Sequence, residues 1–260
     1  MIQIIPVRVK GDVGKGDDLA RALFSSANAA SDDDDDTNRV RNGDILVVAQ
    51  KVVSKAEGRV VDLATVRPSA RALRLAKKLQ KDPRVVELIL RDAREVVLVK
   101  NGIIITETRH GFVCANSGVD QSNLDADDSA VLLPVDPDRS AREIKRAFAR
   151  QGVEIAVIIT DTFGRPFREG QINVAVGIAG IRPIKSYIGK KDMFGKKLRV
   201  TEIAVADEIA SAAELVMGKA AGVPAAIVRG YPYERDAGAS SKTLVRNKER
   251  DLFRPGKRRL

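Results

Sequence analysis

The run Glu154-Ile155-Ala156-Val157-Ile158-Ile159-Thr160, followed at once by polar Asp161, is the clearest strand signal in the chain. A short, unbroken apolar stretch rich in β-branched residues predicts a buried strand. The same pattern recurs from Asp44 to Ala49 (DILVVA) and from Pro224 to Arg229, and the opening Ile2 to Val9 alternates like a strand. Glu95 to Val99, Gly102 to Thr106 and Phe112 to Ala115 predict short strands separated by turns, and Val200 to Val205 a further one. Helices are predicted from an Asp17 cap through Leu19, Leu23 and Phe24, over Ser69 to Leu79 behind Pro68, and behind Pro83 through Leu90. Two more follow, a basic amphipathic one over Ser140 to Arg150 and one over Ala206 to Met217, while Asp136-Pro137-Asp138 closes the first half. Strands and helices mix without strict βαβ alternation, which predicts an α+β fold of mixed sheets with flanking helices.

Composition narrows the chemistry. The 260 residues allow one large or two small domains, and a 44% apolar share supports a sizeable core. The net charge of +10 favours anionic partners, but Lys242 to Leu260 alone carry +6, so the rest of the chain is only mildly basic. Aromatics make up 4%, with no Trp, too few for a protein that reads bases by stacking. One cysteine (Cys114) excludes a disulfide framework or thiolate zinc cluster, and one histidine (His110) excludes a triple-His site. A bound metal must then use oxygen ligands, pointing to magnesium or manganese. The opening residues lack a leader pattern, and the longest uncharged apolar stretch, Ile172 to Ile181, is interrupted by Asn173 and too short to span a bilayer. These features predict a cytoplasmic protein without a membrane partner. Asp32 to Asp36 reads as a solvated loop insertion, and the basic tail from Ser240 as mobile.

Three segments concentrate polar residues at strand ends. Gln50 to Gly58 places Lys51 and Lys55 four apart, which suits either a phosphate-gripping loop or short helix, or a solvated helix face. Asn116 to Asn123 offers small residues with Asp120 and Asn123 as oxygen donors, or a turn whose side chains bond their own backbone. Ile159 to Gly170 sets Asp161 and Thr162 directly after the strand, a layout for holding a divalent ion against phosphates, with Arg165 and Arg168 as forked donors. The alternative there is an Asp that only caps the next loop. Gly11 to Gly16 is glycine-rich with a lysine but is not a Walker loop. His110 shows no partner that would make it a general base, and Cys114, flanked by Val113 and Ala115, reads as an inert core residue.

Taken together, GDILVVAQKVVSKAEGRVVDL, RHGFVCANSGVDQSN, VIITDTFGRPFREGQINVAVGIAG and YIGKKDMFGKKLRVTEIAVADEIASAAELVMGKAAGVPAAIVRG resemble the coenzyme F420-0:L-glutamate ligases over nearly the whole chain. The five-Asp run and the tail from Ser240 lie outside the pattern. The resemblance implies an α+β fold of two interlocked subdomains in an intertwined homodimer. It also implies a catalytic domain over residues 1–239, with a break near 136–140, followed by a tail over 240–260. The implied reaction is GTP-dependent ligation of L-glutamate to the deazaflavin precursor F420-0 through an acyl phosphate. Mg2+ or Mn2+, and K+ as a monovalent ion, are the implied cofactors. By similarity Asp120, Asp161 and Thr162 are metal ligands. Gln50, Lys51, Lys55 and Asn123 contact the nucleotide, beside Lys10, Gly11, Asp12 and Val13 and the segment Met217, Gly218, Lys219, Ala220, Ala221, Gly222 and Val223. Lys55, Arg165 and Arg168 would be the catalytic cations. Lys219 stands where some members of the family carry an acidic residue. Two rival classes are a metal-dependent nucleotide hydrolase and a nucleic-acid-binding protein. Glutamate-dependent GDP release separates the first from a ligase, and confinement of the excess charge to the tail counts against the second.

Overall fold

A computed structural model describes residues 1–29, 39–122 and 128–253. Asp32 to Asp36 and Asn123 therefore lie outside the described residues. The centre of the molecule is a five-stranded sheet built from β1 (Gln3–Val7), β2 (Ile45–Ala49), β8 (Ala156–Arg165), β9 (Arg168–Ala179) and β12 (Ala225–Arg229), in the order β1-β12-β2-β8-β9. Only β2 and β8 run parallel; the other neighbours are antiparallel, so the sheet is mixed. Alternation along the central strands serves two cores. Leu46, Val48, Val157 and Ile159 face one side, and Ile45, Val47, Ala156 and Ile158 the other.

The first side is covered by α1 (Leu19–Ser26), α2 (Gln50–Ala56) and α5 (Pro137–Arg150), whose Leu23, Val53 and Phe148 enter the core. The second is covered by α6 (Val205–Met217) through Ala206, Ile209, Ala210 and Ala213. The small residues of α6 permit close packing on the sheet. At β9, a Cβ on Gly177 would run into the Pro137 carbonyl, so only glycine lets the start of α5 lie this close to the strand. A third core sits between α2 and α5 in the chain. It joins α3 (Ala70–Leu79) and α4 (Pro83–Asp92) to a two-stranded sheet of β3 (Val60–Asp62) with β7 (Ser129–Val131), and to the sheet β4 (Ala93–Lys100), β5 (Ile103–Thr108) and β6 (Val113–Ala115). The mixed α and β character expected from sequence is what the structure has.

Four local expectations change. Asp161 does not end a strand: β8 continues to Arg165 and turns at Phe167 into β9, so the polar stretch is a long hairpin rather than a loop. Its charged residues lie on a sheet edge, where side chains can remain in water. Asp136-Pro137-Asp138 is not a closing turn but the start of α5, with the Asp136 carboxylate accepting from Arg139 N and Pro137 at the first turn. The cap of α1 is Asp18, while Asp17 bonds Gly14 N. Val200 is exposed, and the strand expected there shrinks to β11 (Glu202–Ile203), paired with β10 (Lys185–Ser186).

The start of the basic tail is docked rather than mobile. Asp138, buried at the start of α5, accepts hydrogen bonds from Ile178 N, Ser240 Oγ and Ser241 N. Further on, Lys248 Nζ lies 2.9 Å from Glu95 and 2.8 Å from buried Glu107. Two buried carboxylates draw the tail onto the body. Among the described residues no helix is long and apolar enough to cross a membrane.

Candidate functional site

The DILVVA strand passes directly into α2, because Gln50-Lys51-Val52-Val53 places an apolar pair where the helix meets the core. The helical option for Gln50 to Gly58 is thus the one adopted. Lys51 reaches across to the turn after β6: its ammonium lies 2.7 Å from Asp120 Oδ2 and donates to the Ser122 hydroxyl and carbonyl. Asp120 is held from behind by Ser122 N and by a backbone bridge to Val131. Burial alone would raise the Asp120 carboxyl, but the Lys51 ammonium and the Ser122 donors together hold it below the usual carboxylate range. One turn along α2, buried Lys55 places its ammonium 2.9 and 3.0 Å from the two Asp12 oxygens, tying the Lys10–Val13 loop to the helix. Gln50 is also buried, with its side-chain carbonyl accepting from Ser54. Val13 belongs to the core, so that loop can offer a ligand only Lys10, Gly11 and Asp12 as exposed or half-buried groups.

Asp161 faces the same side. In β8 it continues the parity of Val157 and Ile159, and the next residue of that parity, Phe163, packs on the core beneath α2 and α5. Burial pushes the Asp161 carboxyl up to about 6, and the nearby Asp120 charge adds to this. The Thr162 N–H and the charges of Lys219 and Lys51 pull the other way. Asp120, Asp161 and Lys51 thus share one electrostatic neighbourhood, although they come from three separate parts of the chain.

Thr162 faces the opposite side. Its hydroxyl donates to Asn173 Oδ1 at 2.8 Å and accepts from the Lys219 ammonium, which also donates to Asn173 Oδ1 at 3.0 Å. Met217 and Val223 are buried in the core under α6, so the segment between them presents Gly218 to Gly222 as its exposed part. Adjacent residues in a strand project to opposite faces, and Asp161 and Thr162 are separated in this way. Asn173 was legible only as an interruption in an apolar run; its role as the partner of Thr162 and Lys219 had no other signal.

The structure does not gather Arg165 and Arg168 with these groups. They sit opposite each other at the hairpin tip, roughly 13 Å of extended strand beyond Asp161. Arg165 donates to the Glu169 carbonyl at 2.6 Å, and its Nε is buried without a partner among the described residues. His110 has the partner that the sequence did not reveal. Its Nε2 lies 3.0 and 3.1 Å from the Pro134 and Val135 carbonyls, and its ring stacks on Phe112, so it pins the approach to α5. Cys114 is buried in β6, as its apolar neighbours predict.

A family model described as F420-0:Gamma-glutamyl ligase matches residues 9–230. The chain belongs to this family. Among curated relatives, the coenzyme F420:L-glutamate ligase of Methanothermobacter thermautotrophicus is 48% identical over 97% of this chain and 99% of its own length. That of Methanopyrus kandleri is 45% identical over 97% and 98%. A third, from Methanocaldococcus jannaschii, is 47% identical over 83% and 86%. The region shared with the family model contains α2, the Asp120 turn, the β8–β9 hairpin and Lys219, and it stops before the docked tail.

The oxygen donors suit a hard cation. Asp161 is half-buried, its carboxyl is raised by burial and by the Asp120 charge, and its one hydrogen bond among the described residues comes from the adjacent backbone. Such a carboxylate gains from a proton or a cation, and Asp120 supplies a second oxygen pair nearby. Among the described residues no group of three or more His, Cys, Asp or Glu could hold a metal by itself, so remaining ligands would come from substrate or water.

Proposed function

We propose that this chain ligates L-glutamate to the deazaflavin precursor F420-0 at the expense of GTP, through an acyl phosphate on the precursor's carboxylate. The observation that supports it best is family membership across residues 9–230 coinciding with a face on which the Lys51 ammonium of α2 lies beside the Asp120 and Asp161 carboxylates. A carboxylate is a poor electrophile toward an amine at neutral pH. Phosphoryl transfer from GTP gives the carbonyl a leaving group, and attack by the glutamate amine forms the amide and releases phosphate. The first step brings two anions together, so fixed positive charge is required.

Lys51 and Lys55 supply that charge from one helix face, with Gln50 and the Lys10 to Asp12 loop beside them. Each ammonium is held by a carboxylate in the protein alone, which keeps it oriented before phosphate oxygens arrive. Asp120 and Asp161 would hold Mg2+ or Mn2+, which when bound neutralises phosphate charge as the γ-phosphoryl group transfers. Arg165 and Arg168, away from this centre, would meet a distant anionic group of the long coenzyme substrate rather than the reacting phosphate. Gly218 to Gly222 and Asn123 complete the proposed nucleotide contacts, and K+ would neutralise further phosphate charge. All of this chemistry falls within residues 1–239. The proposal includes a homodimer, supported by Met193 and Phe194, which are 90% and 85% exposed on the arm between β10 and β11. Equilibrium sedimentation checks it, a monomer counting against it.

The test is mass spectrometry of the deazaflavin after incubation with GTP, Mn2+ and glutamate. A mass gain of one or more glutamyl residues, with GDP release that depends on glutamate, is expected. GDP release without glutamate and without a mass gain would identify a hydrolase instead.

A further inference from the structure

Lys219 places a cation on the face of β8 that Asp161 does not serve. Gly218, at φ 58°, ends α6 and turns the chain so that residue 219 follows directly at the sheet. The Lys219 ammonium then rests on the Thr162 hydroxyl and on Asn173 Oδ1, with Glu214 at 3.9 Å. Asn173 is buried, and its backbone carbonyl accepts from Ser211 of α6 at 2.7 Å, so the backbone that carries the receiving side chain is tied to both strand and helix. The negative end of the α6 dipole adds to the preference for a cation here.

We infer that in this chain the Lys219 ammonium takes the place of a divalent ion on the Thr162 side, so that a single divalent ion, held from Asp120 and Asp161, accompanies the nucleotide. This rests on the proposed role of Asp120 and Asp161 as ion ligands. The donor and acceptor inventory of Thr162 carries the argument. A hydroxyl has one hydrogen and two acceptor positions. Its hydrogen goes to Asn173 and one acceptor position takes Lys219. A divalent ion bound to Thr162 would sit about 2–2.6 Å from the same oxygen, within strongly repulsive range of the ammonium, and the neutral hydroxyl brings no negative charge of its own to offset that repulsion, as the Asp120 carboxylate does beside Lys51. The Lys219 side chain is 58% exposed, so a phosphate oxygen can approach the ammonium from the open side. A tethered ammonium keeps its place without depending on metal concentration, and it supplies one positive charge where an ion would supply two.

The number of Mn2+ ions bound per chain in the GDP complex tests this, measured by equilibrium dialysis with the paramagnetic signal of free Mn2+. The unaltered chain should bind one. Lys219→Glu removes the ammonium and sets a carboxylate beside Thr162 Oγ1 and Asn173 Oδ1, and should bind two. Lys219→Met removes the charge without adding a ligand; it should still bind one ion while GDP affinity falls about tenfold, equivalent to ~1.4 kcal/mol. Two tightly bound ions in the unaltered chain, or a Lys219→Glu protein that melts normally yet still binds one, would overturn the inference. Unchanged GDP affinity in Lys219→Met would also count against it. Asp161→Asn serves as the separate control. If it leaves the count at one, the assignment of Asp161 under the proposed function fails, whatever Lys219 does.

Discussion

Asp161 and Cys114 show how one neighbourhood sets opposite behaviours. Asp161 lies half-buried in β8, past the fully buried residues Ala156 to Ile159, so its removal should spare the core. Asp161→Ala is expected to lower glutamyl transfer about a thousandfold or more, as several kcal/mol of charge stabilisation at ~1.4 kcal/mol per tenfold would give. Its melting temperature should stay near that of the unaltered protein, and near-normal turnover at modest Mn2+ would show that the residue is not a ligand. Cys114 is the opposite case. Burial first, and the Asp161 charge second, push its thiol up to about 12. Native protein should therefore react with a thiol reagent only on the timescale of unfolding, and rapidly in denaturant; fast labelling of the folded chain would contradict this. Residue types alone flagged Asp161, Asp120, Lys51 and Lys55. They could not show that Asp161 and Thr162 face apart, since that depends on strand parity continuing past the apolar run.

Two carboxylates tie elements together, each in a testable way. Glu87 of α4 accepts from Ser69 N at the start of α3 and from Arg91 Nε, both at 2.9 Å. The Ser69 donors first, then Arg91, hold its carboxyl below the usual range against the opposing effect of burial. A depressed acid contributes stability that is present above its unfolded value and is lost as pH falls through the lower folded value. Acid unfolding of the unaltered chain should thus steepen below about pH 4.5, whereas Glu87→Gln should lack that component and be less stable at pH 7 by roughly 1–3 kcal/mol. Asp138 makes the second tie. Truncation after Ala239 would remove Ser240 and Ser241 from this buried carboxylate and Lys248 from buried Glu107. A loss of roughly 3–5 kcal/mol, or a melting temperature lower by about 10 °C, is expected. Truncation after Asp251 keeps these ties and, among the described residues, loses only Leu252 and the contact of the Phe253 ring with exposed Phe167, so it should cost less. Equal melting of the two truncated proteins would show that docking of the tail contributes nothing.

For the whole molecule, protection should follow the cores. β2 and the first half of β8 are central and buried on both sides, while β4 has no buried residue in the smaller sheet. Amides of Leu46 to Val48 and Val157 to Ile159 should exchange with solvent only through global unfolding, and those of β4 through local opening. Exchange of β8 at the rate of β4 would mean that the large sheet is not the stable centre. The sequence by itself determined four of the five central strands (all but β9), most helices, the mixed α and β class and the family, because burial on a sheet demands unbroken apolar runs and helices demand caps and periodicity. The tertiary structure alone decided the parallel pairing of β2 with β8, the extension of the hairpin through polar residues, and the meeting of Lys51 with Asp120 and of Lys219 with Thr162. Those pairs lie 69 and 57 positions apart. Propensity acts over a few neighbouring residues, whereas contacts at such separations exist only once strand order and parity bring the side chains together.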